Sequence, residues 1–294
     1  MSNEKVIPIR CFFSNGSVNF NVFNEQHLNE FYADYNQRKI KGFSKGQWVV
    51  FCFEAQEKLF DIVSSGLVSK KNSSLENLSF KLKESGLEIV CSNTTSLHMW
   101  KSSKIDEEKF KEYKKKCKKT QFLIPQVMLP KKIDSHLYIC YNLSNDNIVV
   151  FSKTYFEEKK LDNVMFPNYE FVLENKSDTR CFIGSKLFLT SLKKFKGLCS
   201  IDTTHRAIKM KVSDKLELSV NHTDCDGFHV QGSGELPITS EFGEIEVDFN
   251  RDYLEKIISL CQKSNPSIEM NFSSNGINQF YAGDFTAALS ALRI

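Results

Sequence analysis

The stretch that decides the fold is Ile208-Lys209-Met210-Lys211, followed by Leu216-Glu217-Leu218. It has a counterpart upstream in Phe80-Lys81-Leu82-Lys83 followed by Leu87-Glu88-Ile89, at offsets of 208 − 80 = 128 and 216 − 87 = 129 residues. Both copies alternate apolar and polar residues, a pattern that predicts two strands joined by a turn. A pattern that recurs at one spacing indicates a repeated structural unit.

Two further elements recur at the same spacing. Lys58-Leu59-Phe60 matches Lys186-Leu187-Phe188, with 186 − 58 = 128. A turn-like element occurs three times, with 145 − 15 = 130 and 275 − 15 = 260, in Phe13-Ser14-Asn15-Gly16, Ser144-Asn145-Asp146-Asn147 and Ser273-Ser274-Asn275-Gly276. We therefore predict a tandem domain of about 130 residues. It is present twice in full, at 46–165 and 166–294, after a partial half-repeat or extension at 1–45.

Each copy is predicted to be α+β, with two halves that each contain a helix followed by strands. In the second copy, Ser185 is the expected N-cap of a helix that ends near Lys196, and Asn250 that of a helix that ends near Lys263. The strands alternate in polarity, which favours antiparallel sheets with one polar face. In the first copy Pro125 and Pro130 interrupt the second helix, so we expect it to be short or irregular.

Composition excludes several classes of protein. The chain has 294 residues, 41% of them hydrophobic and 26% charged, unlike disordered, collagen-like or coiled-coil sequences. The net charge of +3 does not by itself indicate nucleic-acid binding. Since no apolar run approaches the ~20 residues that span a bilayer, we expect a cytoplasmic protein without membrane contact. The nine widely spaced cysteines form no C-x-x-C pair, so we expect buried thiols in a reducing compartment.

Four local patterns resemble the bacterial DNA polymerase III beta sliding clamp family. Phe166-Pro167-Asn168-Tyr169 resembles the linker between the family's second and third domains, and Val247–Leu254 resembles its Phe-Asn-x-x-Tyr-Leu stretch. Ala291-Leu292-Arg293-Ile294 resembles the family's C-terminus, and Ser92–Leu97 stands where the family has a Thr-Asp-Gly-His-Arg-Leu turn. The resemblance extends from about Gly46 to Ile294.

The resemblance implies tandem DNA-clamp domains that assemble as a ring around duplex DNA and tether a polymerase. Its expected partners are double-stranded DNA without sequence preference, polymerase and clamp-loader peptides, and further copies of the chain. If a ring needs six domains, two full copies per chain favour a homotrimer, although a homodimer stays open. The alternative is a clamp-fold adaptor that recruits or diverts replication or transcription proteins without encircling DNA. Neither function requires a cofactor, a metal or enzymatic activity.

The resemblance implies a DNA-facing surface made of helices. On the second copy's helices the basic residues lie opposite the apolar stripes, and an ordinary solvated helix face is the competing interpretation. The candidates are Lys58, Lys132, Lys193, Lys194, Lys196, Arg251, Lys256 and Lys263.

The resemblance also implies an apolar pocket for a partner peptide, between the last two domains. Phe171 stands where the family has a basic residue, so a more apolar peptide is expected. Core or interface packing is the competing interpretation of these side chains. The candidates are Thr94, Ser96, Leu97, Pro167, Phe171, Val172, Leu289, Leu292, Arg293 and Ile294.

Two other segments contain residue types found in nucleic-acid or metal sites. The lysine-rich run from Lys109 to Lys119 is either an extra DNA contact, with Phe110 and Tyr113 as stacking residues, or a solvated helix or loop. His222–His229 contains metal-ligand residue types, but Asp-Cys-Asp-Gly is typical of a turn. No G-x-S-x-G, phosphate-binding glycine loop or H-E-x-x-H is present, so the sequence does not indicate catalysis.

Overall fold

The computed structural model describes the chain except residues 1–7, 15, 38–41, 55–57, 65–72, 134–135, 162–164, 175–176, 200–205, 224–226, 228, 242, 275 and 293–294. The chain divides into two compact units. Unit 1 comprises Met1–Cys91 and Trp100–Pro167, and unit 2 comprises Ser92–Met99 and Asn168–Ile294.

The first part of the chain, which builds unit 1 and contributes one segment to unit 2, contains strands β1 to β11 and helices α1 to α3. Single 3-10 turns lie at Ser73–Glu76 and Gln126–Met128. The elements are β1 (Ile9–Phe13), β2 (Gly16–Asn24), α1 (Glu25–Asn36), β3 (Gln47–Phe53), α2 (Lys58–Ser64), β4 (Asn77–Lys83), β5 (Gly86–Ser92), β6 (Ser96–Lys101), β7 (Lys104–Ile105), α3 (Glu107–Lys116), β8 (Gln121–Pro125), β9 (Leu137–Asn142), β10 (Asn147–Phe151) and β11 (Phe156–Lys160).

A seven-stranded sheet dominates unit 1, in the order β11-β10-β9-β3-β2-β1-β7. The N-terminal hairpin extends it, because β2 pairs antiparallel with β3 from Val18↔Phe53 to Asn24↔Gln47. The short second helix expected from the prolines of the first copy is confirmed. Between Pro125 and β9, the described residues form a single helical element, the 3-10 turn Gln126–Met128.

Both faces of the unit 1 sheet are covered, which the sequence did not predict. On one face Phe51 contacts Phe80 and Phe122, with ring centroids 5.2 and 5.4 Å apart. On the other face α1 packs through Leu28 and Tyr32 onto a cluster that includes Trp48, Val50, Tyr138 and Phe151. The expectation of one polar face is therefore wrong for this sheet, because α1 replaces water over it.

Unit 2 contains residues 96–99 of β6 and nine further strands. Its elements are α4 (Glu170–Leu173), β12 (Thr179–Gly184), α5 (Ser185–Lys194), a 3-10 turn (Phe195–Gly197), β13 (Ala207–Val212), β14 (Lys215–Thr223), β15 (His229–Pro237), β16 (Thr239–Glu241), β17 (Ile245–Asn250), α6 (Arg251–Ser264), β18 (Ser267–Phe272), β19 (Ile277–Ala282) and β20 (Phe285–Ser290). One sheet has the order β16-β12-β18-β19-β20 and continues onto β6, and the other has the order β15-β14-β13-β17.

The two main helices of unit 2 begin differently. Asn250 caps α6 as expected, since its Oδ1 accepts hydrogen bonds from the backbone N of Asp252 (3.0 Å) and Tyr253 (3.3 Å). Ser185 is not the N-cap of α5. Gly184 holds that position, and Ser185 Oγ donates to the carbonyl oxygens of Asn265 and Pro266, each at 3.0 Å.

The cysteines among the described residues are all free, and seven of these eight are buried, with Cys52 half-buried. Burial raises the pKa of the Cys11 and Cys181 thiols to about 12, so both stay protonated near neutrality. The expectation of buried thiols is confirmed for these positions. Among the described helices, no segment is long and apolar enough to cross a membrane.

Candidate functional site

A small cavity in unit 2 brings together three segments that are distant in sequence. The turn Ser92–Leu97 forms one wall, Val172 of α4 a second, and Ile277 of β19 with Ala288–Ser290 of β20 the third. Its volume is about 100 Å³. Since none of the described lining residues carries a charge, the site is suited to an uncharged ligand group.

The turn that borders this cavity is held by its own side chains. Asn93 Oδ1 accepts hydrogen bonds from the backbone N of Thr95 (2.8 Å) and Ser96 (2.7 Å). An asparagine that bonds the backbone two residues ahead replaces a backbone turn bond. Ser290 N donates to Thr95 O at 3.0 Å, which ties the turn to β20.

The opposite wall is fixed in a similar way. Asn168 Oδ1 accepts from Glu170 N at 3.1 Å at the start of α4. Gln279 Nε2 then donates to Val172 O at 2.9 Å, which anchors this short helix to β19. Phe171, on the same helix, points its ring into solvent and is 63% exposed. An exposed phenylalanine next to an uncharged cavity extends the apolar surface available to a ligand.

A buried histidine lies beneath the turn. His98 is fully buried, and its Nε2 lies 3.3 Å from Ser96 Oγ at the cavity wall. Burial, together with the nearby charge of Lys256, lowers the pKa of His98 to about 3. The imidazole is therefore neutral near pH 7, and Ser96 contacts an uncharged group.

The structure brings together half of the residues expected in the pocket. Thr94, Ser96, Leu97, Val172 and Leu289 line the cavity. Phe171 lies beside it without lining it, and Pro167 is exposed at the end of unit 1. Leu292 is half-buried, and its N donates to Asp248 O at 2.8 Å, so it belongs to the β17 neighbourhood. Arg293 and Ile294 lie outside the described residues.

Sequence reasoning missed six residues of the lining: Ser92, Asn93, Thr95, Ile277, Ala288 and Ser290. A signal was available for the turn, because Asn93 within Ser92-Asn93-Thr94-Thr95-Ser96 is typical of a turn held by a side chain. The residues on β19 and β20 carry no such signal, since their place at the cavity follows from strand pairing.

The basic residues expected to face DNA do not all behave alike. Five are exposed: Lys132, Lys193, Lys194, Lys196 and Lys263. Lys256 is half-buried near His98, and the side chain of Lys58 lies outside the described residues. The expectation that Arg251 faces DNA is wrong for the single chain. Arg251 is only 6% exposed, and its guanidinium pairs with Glu255 and Asp252. As the first residue of α6, Arg251 turns back onto its own helix.

The lysine run forms α3, and its aromatic residues face inward. Phe110 and Tyr113 are 1% and 4% exposed, and Tyr113 contacts Phe20 edge-on at 5.4 Å between ring centroids. The hypothesis that these rings stack on nucleic-acid bases is therefore wrong. They attach α3 to the sheet, while Lys111, Lys115 and Lys118 are exposed.

The described residues contain no group of three or more His, Cys, Asp or Glu side chains placed to hold a metal ion. His222 and His229 lie near the end of the β14–β15 ladder, where Thr223 pairs with His229. Asp224, Cys225 and Asp226 lie outside the described residues.

Comparison with known proteins gives a result for structure alone. No family model matches the sequence. No curated protein sequence matches it either. Among solved structures, the chain is similar to DNA polymerase III beta subunit from Thermotoga maritima, with a TM-score of 0.65 and 11% identity over 100% of this chain and 94% of that one.

Two further structures agree. The beta subunit from Borrelia burgdorferi, in complex with a natural product, matches with a TM-score of 0.65 and 16% identity over 90% of this chain and 67% of that one. The sliding clamp from Bartonella birtlesii, bound to griselimycin, matches with a TM-score of 0.65 and 14% identity over 98% and 91%. The chain therefore has the α+β fold of the bacterial DNA polymerase III beta sliding clamps.

Proposed function

We propose that this protein is a DNA sliding clamp, a non-enzymatic processivity factor that encircles duplex DNA and tethers a polymerase at the replication site in the cytoplasm. Retention by such a ring depends on topological linkage, so the DNA contacts can be weak and independent of sequence. The clamp fold supports this proposal, because the solved structures that share it are DNA polymerase III beta subunits and sliding clamps.

The observation that carries the proposal is the cavity in unit 2. Five residues that the family resemblance predicts to bind a partner peptide line one cavity: Thr94, Ser96, Leu97, Val172 and Leu289. At about 100 Å³ it is smaller than the pockets of about 300–1,000 Å³ that enclose whole small molecules. Its size and neutral lining fit a single apolar side chain of a polymerase or clamp-loader peptide, with Phe171 as an additional contact.

The exposed lysines supply the DNA-facing charge in this proposal. Lys193, Lys194 and Lys196 lie at the end of α5 and in the turn that follows, and Lys263 lies in the last turn of α6. Lysines on flexible side chains contact phosphates without reading bases, which leaves a ring free to slide. A homotrimer of two-repeat chains would supply six clamp domains, and a homodimer would supply four.

Primer extension by the DNA polymerase of the same organism tests the tethering. The chain should lengthen the products made in a single binding event. Thr94→Arg places a charge at the exposed rim of the cavity and should abolish most of that increase, because a charge is costly in an apolar contact. Thr286→Arg on β20, outside the cavity lining, is the matched control. Equal product lengths for the two variants would contradict the tethering role.

A clamp-fold adaptor that does not encircle DNA is the second candidate, and one observation favours it. Arg251 is buried and paired, and Lys256 is half-buried, so the positive surface is weaker than the sequence suggested. Such an adaptor would use the same cavity to recruit or divert replication or transcription proteins. It would bind peptide normally but would show no preference for circular over linear DNA.

A further inference from the structure

Unit 1 carries a strongly basic segment whose charge the proposed function does not use. From Lys109 to Lys119 the chain has seven lysines and one acidic residue, Glu112, which gives a net charge of 7 − 1 = +6. The whole chain has a net charge of +3, so the remaining residues sum to 3 − 6 = −3. Positive charge is therefore concentrated in this segment.

The fold accounts for only part of this charge. Three of the lysines contact acidic side chains within 3.3 Å: Lys109 with Asp106, Lys114 with Glu84 and Lys119 with Asp146. Lys115, Lys116 and Lys118 are exposed, and none of them forms an ion pair with another described residue. These three charges are available to a ligand.

The end of α3 is held firmly against unit 1. Phe110 and Tyr113 are buried, and Tyr113 contacts Phe20 of β2. Tyr113 Oη donates to Lys119 O at 2.6 Å, and Cys117 N donates to Tyr113 O at 2.7 Å. The lysines around Cys117 therefore project from a fixed backbone.

A fourth lysine comes from a distant part of the sequence. Asp146, which contacts Lys119, is followed by Asn147, and Asn147 pairs with Lys160 of β11. Lys160 is exposed. The four exposed lysines of this neighbourhood form what we call the α3 lysine patch: Lys115, Lys116, Lys118 and Lys160.

The α3 lysine patch lies at the opposite end of β8 from α2. The lysine run ends just before β8 begins at Gln121, whereas the 3-10 turn follows the last residue of β8. Gln126 in that turn donates from Nε2 to Ser64 O of α2 at 3.3 Å. The two ends of this five-residue strand are about 13 Å apart. Because the DNA-facing candidate Lys58 begins α2, the patch is a separate surface.

The chemistry of this surface fits a phosphate backbone. The exposed residues of α3 are all Glu or Lys, and its aromatic rings face the sheet. Protein–protein interfaces are depleted in lysine and have an apolar centre, and helices that bind a membrane surface expose apolar side chains. Nucleic acid requires neither, because lysines bind its phosphates through charge alone.

We propose that the α3 lysine patch binds the phosphate backbone of a duplex DNA segment other than the one that the chain encircles. Glu107, Glu108 and Glu112 lie towards the start of α3, so the DNA contacts the C-terminal end of this helix together with β11. The contact is independent of sequence and does not require a ring, so it goes beyond the proposed function. It would let one chain hold two duplex segments at once.

A short DNA duplex with streptavidin bound at both ends tests the patch, because blocked ends prevent a closed ring from threading onto the DNA. Fluorescence anisotropy should show wild-type binding that weakens as salt is added. Lys115→Gln/Lys116→Gln/Lys118→Gln should weaken binding at low salt by about tenfold or more. It should also reduce the slope of log affinity against log salt by about 2–3, since each phosphate contact contributes about 0.9.

The matched control is Lys101→Gln/Lys153→Gln/Lys186→Gln, which removes three exposed lysines outside the patch and should change neither quantity. Glutamine and lysine have similar helix propensities, so the patch variant should keep the wild-type urea midpoint. Arginine at the same three positions should keep the DNA affinity, because the charge is retained.

Equal affinity and equal salt slope for the patch variant and its control would overturn the proposal. Wild-type binding to poly-glutamate as tight as to the blocked duplex would overturn it too, since the surface would then fit any acidic polymer. Patch-dependent binding to the blocked duplex would support it even if the chain were not retained on circular DNA, a result that would count against the proposed ring alone.

Discussion

The central sheets of the two units are buried differently. In unit 1 all six residues of β9 are buried, as are four of the five in β10. In unit 2 burial alternates along β18: Ile268, Met270 and Phe272 are buried, while Glu269 and Asn271 between them are half-buried. The difference comes from α1, which covers in unit 1 the face that unit 2 leaves to water.

The water-exposed face of the unit 2 sheet carries ion pairs around Arg180. Arg180 Nε contacts Glu269 at 2.9 Å, and its guanidinium lies 5.0 Å from the Phe182 ring and 3.6 Å from Glu241. In unit 1 the same layer is aromatic, with Phe151 in contact with Tyr32, Tyr138 and other rings. One face is therefore an aromatic core under α1 in unit 1 and a charged surface in unit 2.

The largest expected effect on stability comes from disrupting the aromatic cluster that α1 covers in unit 1. Phe151→Ala removes a fully buried ring from the centre of the α1 layer and should lower the free energy of unfolding by about 3–5 kcal/mol. Both tryptophans, Trp48 and Trp100, belong to unit 1, so urea unfolding followed by tryptophan fluorescence reports it. Phe182→Ala on the half-exposed face of unit 2 is the matched control, with a loss near 1 kcal/mol. Similar losses of unfolding free energy for both variants would contradict the difference in burial between the two sheets.

Mild acid should destabilise unit 2 more than unit 1, because the buried His98 lies in unit 2. Its folded pKa of about 3 is below its ordinary value of 6.5, so the unfolded chain binds the proton more tightly. Stability is complete above pH 6.5 and falls by up to about 1.4 kcal/mol per pH unit below it. In unit 1 the lowered pKa of Asp146, due first to its hydrogen bond from Tyr141, affects stability only below about pH 4.

The acid effect is measured by urea unfolding at pH 7.5, 6 and 5. The midpoint from circular dichroism, which reports both units, should fall while the tryptophan midpoint stays constant. His98→Gln should remove most of the shift. An acid shift that His98→Gln leaves unchanged would show that His98 is not the cause.

Removing a helix cap should lower the free energy of unfolding by the same amount in both units, since a cap acts locally. Asn24 Oδ1 accepts from His27 N at 2.8 Å at the start of α1, as Asn250 does for α6. Asn24→Ala and Asn250→Ala should each lower the free energy of unfolding by about 1 kcal/mol in chemical denaturation. Asn24→Asp should retain the wild-type free energy of unfolding, because aspartate is also a good N-cap. A much larger cost at Asn24 would mean that the cap also positions the whole α1 layer.

The smallest effect is expected on the polar face of unit 2. Arg180→Ala should cost about 0.5 kcal/mol, because the ion pairs are partly exposed and compete with water. The loss should shrink further as salt is added, whereas the effect of Phe151→Ala should not. Thermal unfolding at low and high ionic strength distinguishes the two. A salt-independent loss at Arg180 would point to packing against Phe182 instead of charge.

The strand pairs β4–β5 and β13–β14 were predictable, because 80–89 and 208–218 share one spacing and one alternation of polarity. The α1 layer was not predictable, since Leu28 and Tyr32 show only that α1 has a buried side and not which sheet face receives it. In the pocket, the turn near Asn93 was accessible to local chemistry. Ile277 and Ala288 were not, because strand register alone brings them to the cavity.

Arg251 shows a third limit. Its position opposite the apolar stripe of α6 predicted a solvent-facing charge, but Asp252 and Glu255 on the same helix bind the guanidinium and hold it down. A helical pattern gives the direction in which a side chain leaves the backbone, and a long arginine can still fold back along the surface.

The central claim is that the chain encircles DNA, and the most direct measurement is retention on nicked circular DNA after a high-salt wash, compared with the same DNA made linear. Salt removes binding that depends on phosphate contacts but cannot remove a closed ring from a circle. The account predicts that the chain stays on circular DNA and is released when a single cut makes the DNA linear. Equal loss from both DNAs would contradict encirclement and leave the clamp-fold adaptor.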